Sequence, residues 1–309
     1  MTAQTWIDET KNLLLTDYVE EYDTLGTALN DSETTVNFTH DTPGIVAGSI
    51  IEIDTELMYV FSMNASTNDA TVKRGFRGTT AASHDQYSLV TVNPKFPAQL
   101  VLNAINDELA DLSSPQNGLY QMKTVEFTYN IAQDGYNLTG VTDDILSVYQ
   151  VTYKDTGSED TEPVVPAWTL RRDRNTSSFA SGYALILHDD ANSGQTVRVQ
   201  YKTGFAALAA TSTALSTVGL HSEGYDLPVL GAALRLMSTR PVRREFIDEQ
   251  GSSRRADEVP AGAISASMRD LRALRETRIN SEATRLDTQY PTFWQRSGGK
   301  TQNSAYRGV

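Results

Sequence analysis

The chain has 309 residues, a net charge of −13, 39% hydrophobic residues and no cysteine. Its length calls for more than one core, its apolar fraction excludes wholesale disorder, and the absence of cysteine excludes disulfide frameworks, thiol nucleophiles and thiolate metal sites. Residues 231–309 hold 14 Lys+Arg against 9 Asp+Glu, leaving 12 against 30 before them, so an acidic body carries a basic, arginine-dominated end.

The first residues carry early acids and no basic start followed by an apolar run, so neither a signal peptide nor a transit peptide is expected. No stretch approaches the roughly 20 apolar residues of a membrane span, and a soluble, non-secreted chain is expected. Within an N-terminal segment 1–30, the spacing predicts a helix over 3–25. Ile7, Leu14, Tyr18, Tyr22 and Leu25 lie near one face, and Gly26 ends the pattern.

From about 34 to 93 the period changes to two. Short β-branched and aromatic runs separated by Gly, Asn, Asp and Pro predict a small antiparallel β domain at 31–97. A connecting segment, 98–114, follows. Its helix is expected over 98–112, behind Pro97, with Val101, Ile105, Leu109 and Leu112 as the apolar stripe.

A second β domain is expected at 115–210, with strands near "KTVEFTYNI", "ILSVYQVTYK", "YALILH" and "TVRVQYK". The remainder, 211–309, reads as a helical region ending in a docking arm. Asp226 is placed to cap "LPVLGAALRLMS". Ser267 and Asp270 are placed as a capping pair for a long helix over Met268–Tyr290, which Pro291 stops. Leu271, Leu274, Ile279, Ala283, Leu286 and Tyr290 mark its expected buried stripe, and Arg269, Arg272, Arg275 and Arg278 recur every third residue around the other side. The expected class is therefore α+β: two small antiparallel β regions with an N-terminal helix, a central connecting helix and a helical C-terminal arm.

The stretch "TVKRGFRGTTAASHDQYSLV" has the glycines and basic residues of a phosphate loop. A P-loop, however, places Lys after its second glycine and a helix after that. Here Gly78 is followed by Thr79, and a strand-like run comes next. Two Arg-Gly pairs in an acidic setting also fall short of a nucleic-acid segment. A conformational role for the turn residues Arg74, Gly75, Gly78, Thr79, Thr80 and His84 is the expectation.

The segment from Gly48 to Pro97 resembles a recurrent segment of tailed-bacteriophage structural proteins. The likeness is carried by Glu56, Met58 and Val60, then by Thr71, Val72, Arg74, Gly75, Gly78, Thr79, Thr80, Ala81, Ala82 and His84. The order of the remaining elements is similar to that of phage neck proteins, the head–tail connectors. The resemblance implies a virion protein that forms a homo-oligomeric ring, commonly of twelve copies, between the portal protein and a downstream neck or tail protein. Genomic DNA would pass through its channel without specific binding. It also implies a C-terminal arm that reaches the portal. Arg269, Arg272, Arg275, Arg278, Arg285, Tyr290, Phe293 and Trp294 are the expected portal or neighbour interface.

Three of the four histidines precede Asp, at His40, His84 and His188. Metal phosphohydrolase chemistry needs such groups to converge from helices, whereas these pairs sit at strand ends and turns. Asp54 and Glu56 could be proposed as paired carboxylates for glycan hydrolysis, but nothing else in the sequence converges with them. No catalytic constellation, cofactor or metal site is expected. The alternative is a tail or baseplate protein whose β modules bind a host receptor or glycan, with tyrosines and tryptophans stacking on sugar.

Overall fold

The computed structural model describes residues 1–15, 20–133, 135–138, 141, 144–154, 162–188, 193–239 and 263–291. Phe293 and Trp294 lie outside the described residues. The chain is mixed α+β, with all strand pairings antiparallel among the described residues. It divides into two compact units. The first comprises Met1–Leu109 and Ala207–Arg278, and the second Ala110–Ala206 and Ile279–Val309.

The first unit is built on a six-stranded sheet. Its strands are β1 (Glu21–Thr24), β2 (Thr35–Asn37), β3 (Ile50–Ile53), β4 (Glu56–Asn64), β5 (Asp69–Lys73) and β6 (Leu89–Val92), in the order β1-β6-β3-β4-β5-β2. The edges do not stay open. A bridge joins Leu25 to Phe38, and Gly26 N and Thr39 N donate to Asn37 O at 2.8 Å and Thr24 O at 2.9 Å. The sheet therefore curls back on itself, which removes the exposed strand edges that invite aggregation. Period-two side chains fill the inside: Val36, Phe38, Ile51, Ile53, Met58, Val60, Val72 and Val90 are all buried.

The expected helix over 3–25 is corrected here. Helix α1 spans Ala3–Leu14, and Glu21–Thr24 is a strand paired with β6. Tyr22 and Leu25 satisfy a helical spacing, but a strand of four residues is decided by its partner, and Val90 and Val92 lie across from Asp23 and Glu21. Helix α1 buries Trp6, Ile7 and Thr10. Its first amides donate to Thr213 O at 2.8 Å and Thr211 O at 2.9 Å, and the Trp6 ring meets Tyr225 edge-on at 5.3 Å.

Helix α2 (Ala98–Leu112) has the expected bounds, and its stripe of Val101, Ile105, Leu109 and Leu112 is buried. Glu52 fixes where it starts. From the outer side of the sheet, this buried carboxylate accepts from Ala98 N and pairs with Lys11 Nζ at 3.1 Å. Helix α3 spans Asp226–Thr239.

The last helix, α4 (Ala263–Gln289), begins before Ser267, so Ser267 and Asp270 lie inside it rather than capping it. Its 27 residues extend about 40 Å. Ile279 and Leu286 are buried as expected, but Leu274 is exposed.

In the second unit, two three-stranded sheets share one core. One is β10-β11-β8, from Trp168–Arg171, Ala184–Leu187 and Tyr136–Asn137. The other is β7-β12-β9, from Gln121–Thr128, Thr196–Thr203 and Ile145–Lys154. Tyr136, Val151, Trp168, Leu185, Val197 and Val199 meet between them. The Tyr136 hydroxyl donates to Asn130 O at 2.7 Å, which satisfies its polar end in that core.

Candidate functional site

Glu56 opens β4 and is only 1% exposed. A carboxylate buried this deeply needs donors, and the loop after β5 supplies them. Arg74 Nε and Nη2 each donate to it at 2.7 Å, the backbone N–H groups of Gly75 and Ala82 at 3.0 Å, and His84 Nε2 lies at 3.0 Å. Arg74 also donates from Nη1 to Asn30 O at 2.6 Å and Glu33 O at 2.9 Å, and from Nη2 to Ala82 O at 2.5 Å. One buried ion pair thus gathers the 28–33 segment, β4 and residues 74–84.

Electrostatics follow from this geometry. Burial opposes ionisation of Glu56, but the hydrogen bonds from Arg74, His84, Ala82 and Gly75 outweigh it and hold its pKa at about 2. His84 has Asp54 Oδ2 at 2.7 Å on Nδ1 and Glu56 Oε2 at 3.0 Å on Nε2. A neutral imidazole carries one N–H and satisfies only one carboxylate, whereas the imidazolium satisfies both. Burial opposes that charge, yet the bonds to Asp54 and Glu56 prevail and raise its pKa.

Gly75, Gly78 and Thr79 shape the turn. Gly75 has φ 59°, and a Cβ there would meet Thr79 O at 2.8 Å. Gly78, at φ 85°, has open space around it and is needed for its backbone angle alone. The Thr79 hydroxyl accepts from Leu57 N and donates to Phe76 O, both at 3.0 Å. Thr80 is exposed. Asp54, 61% exposed at its side chain, and saturated Glu56 do not form an open acid–base pair. A carboxyl held at about 2 is also far from the range of a general acid or base working near neutrality.

The other histidines are directed elsewhere. His40 Nδ1 lies 3.0 Å from Asp23, His188 Nε2 lies 2.9 Å from the Thr169 hydroxyl, and His221 Nδ1 accepts from Glu223 N. Among the described residues no group of three or more His, Asp or Glu is placed to hold a metal. No helix among them is long and apolar enough to cross a membrane.

The arginines of α4 find acids in their own chain. Arg275 Nε donates to buried Glu108 Oε1 at 2.6 Å, while Arg235 Nε takes Oε2 at 3.1 Å. Arg278 donates to Asp226 at 2.7 and 3.1 Å and to Glu223 O. Arg285 pairs with Glu282 one turn earlier at 2.6 Å. Arg269 and Arg272 are exposed. Tyr290 packs edge-on to Tyr149 at 6.0 Å. Of the expected interface, Arg275, Arg278 and Arg285 are therefore engaged within the chain. Arg278 and Arg285 grip both oxygens of a carboxylate, and Arg275 shares Glu108 with Arg235, which helix positions alone do not anticipate. Glu108 is the partner that reading missed; a lone Glu on an apolar stripe-bearing helix was its only signal.

A scan against protein-family models and a search of curated proteins each return no match to this chain.

Proposed function

We propose that the chain is a structural virion protein of a tailed bacteriophage. In this reading it is a head–tail connector that forms a ring between portal and tail and acts by assembly without turnover. One observation carries the reading. The signature residues of the phage-like segment, Glu56, Arg74, Gly75, Ala82 and His84, are all spent on one another in holding that segment to its sheet. A motif used this way marks a β module kept for its shape, which suits a scaffold and leaves no free group for chemistry. The division between an acidic body and a basic end gives copies or partners opposite faces to stack by.

The test is electron microscopy of the protein mixed with purified portals, expecting a ring seated on the portal. A chain ending at Pro291 is the companion variant. The cut is placed there because removing all of 261–309 would also take Arg275 from buried Glu108. The shortened chain is expected to stay folded and to lose portal binding. If it still co-sediments with portals, the arm reading is wrong. Glycan binding by a free monomer or trimer would favour the tail-tip alternative.

A further inference from the structure

The outer side of the first unit's sheet carries a patch that the motif's internal bonding does not explain. Tyr59, Phe61 and Phe76 form a ring cluster, with Tyr59 5.3 Å from Phe61 and 5.4 Å from Phe76 between centroids. Phe61, on the same side of β4 as Tyr59, is 56% exposed, and it falls where the β4–β5 register shifts between Val60 and Ser62, so it has no partner in the ladder. Two cations flank the rings. Lys73 is the cross-strand partner of Tyr59, and the Arg77 guanidinium lies 5.7 Å from the Phe76 centroid. Both are exposed, and among the described residues neither is paired with a carboxylate.

The backbone adds a second observation. Arg77 has φ 54°, a left-handed angle that a non-glycine residue holds only when its surroundings impose it. Glu56 anchors the backbone two residues before it at Gly75 N and five residues after it at Ala82 N. Residues 76 and 77 thus lie between the latch residues Gly75 and Ala82, with the Phe76 ring against Tyr59 and Arg77 exposed. An exposed phenylalanine backed by two further rings and flanked by unpaired cations has the composition of a contact surface.

We infer that this patch is a subunit interface and that its occupant is an acidic face of a second copy of the chain. Charge complementarity selects the occupant. Residues 1–230 hold 30 Asp+Glu against 12 Lys+Arg, so a cationic, aromatic spot on that body is opposite in sign to the net charge of a second copy's body. A contact between unlike patches is heterologous and propagates around a ring. The inference rests on the connector reading for its biological meaning, but it is tested without a portal.

The experiment is sedimentation velocity on the full chain across concentration and salt, for wild type and for Phe61→Ser, Lys73→Glu and Arg77→Gly. Wild type is expected to self-associate, less so as salt rises, and each variant to weaken association at least tenfold. Arg77→Gly separates interface from fold, because glycine relieves the left-handed angle. Its melting temperature should be unchanged or higher while association falls. Variants that assemble like wild type, or a wild type that is monomeric at every concentration, overturn the inference. Salt-dependent binding of a fluorescent oligothymidylate that is lost with the same variants would also overturn it, in favour of a nucleic-acid surface. Portal binding by the variants reads the connector proposal separately, since a failed patch leaves that result untouched.

Discussion

Arg74 and Glu56 are 7% and 1% exposed at their side chains, and each makes the other's burial tolerable. Removing one partner strands the other charge, so Glu56→Gln should cost about 3–5 kcal/mol, measured by chemical denaturation. The same site sets opposite limits on pH. Glu56 falls from its usual 4.5 to about 2, so its contribution is complete above 4.5 and disappears as pH drops toward 2. That is about 3 kcal/mol of acid sensitivity. His84 is shifted the other way. Its contribution is complete below the usual 6.5 and is lost as pH rises through its elevated value. His84→Gln should flatten the alkaline side of a stability–pH profile and leave the acid side sloping; a variant profile parallel to wild type across alkaline pH would contradict the imidazolium assignment.

At the scale of elements, Gly231 shows how tightly α3 approaches α2. A Cβ there would stand 1.9 Å from Glu108 Cδ. Glu108 could swing aside only by leaving Arg235 and Arg275. Gly231→Ala is therefore expected to destabilise by about 2 kcal/mol, even though alanine gains about 1 kcal/mol of helix propensity. A melting temperature at or above wild type would show that the carboxylate relocates freely. Elements with strong local patterns were legible in the sequence. Helix α2 is one, since Pro97 and a four-residue stripe specify it without help; the antiparallel strands from 50 to 73 are others. What escaped was set at long range. Strand β1 is fixed by β6 nearly 70 residues on, closure of the sheet by Leu25 against Phe38, and the partners of Arg275 and Arg278 by acids on other helices. Glu56, Arg74 and His84 were visible as a motif, but their convergence on one carboxylate needs the β4–β5 register, which spacing alone does not give.

For the whole molecule, charge is the property with the widest consequence. A body with 18 surplus acids joined to an end with 5 surplus bases should assemble through contacts that salt screens within about 10 Å at 0.1 M. Raising ionic strength from 50 to 500 mM is therefore expected to shrink assemblies in light scattering without lowering the melting temperature of the subunit. Growth of assemblies with salt would point instead to apolar association.

The bonds from the first turn of α1 to Thr211 and Thr213, and the seat of Trp6 against Tyr225, also bear on synthesis. A ribosome must add about 200 further residues before those partners exist, which at 5–20 residues per second takes roughly 10–40 s. The curled sheet, complete by Val92, is free to form early in that interval. Lys11 can reach Glu52 once that sheet exists, but Trp6 lacks the Tyr225 ring until the last quarter of the chain is made. The seat of the opening helix is thus completed only when Thr211, Thr213 and Tyr225 arrive, and a pause or a chaperone acting on the nascent chain has a clear target there.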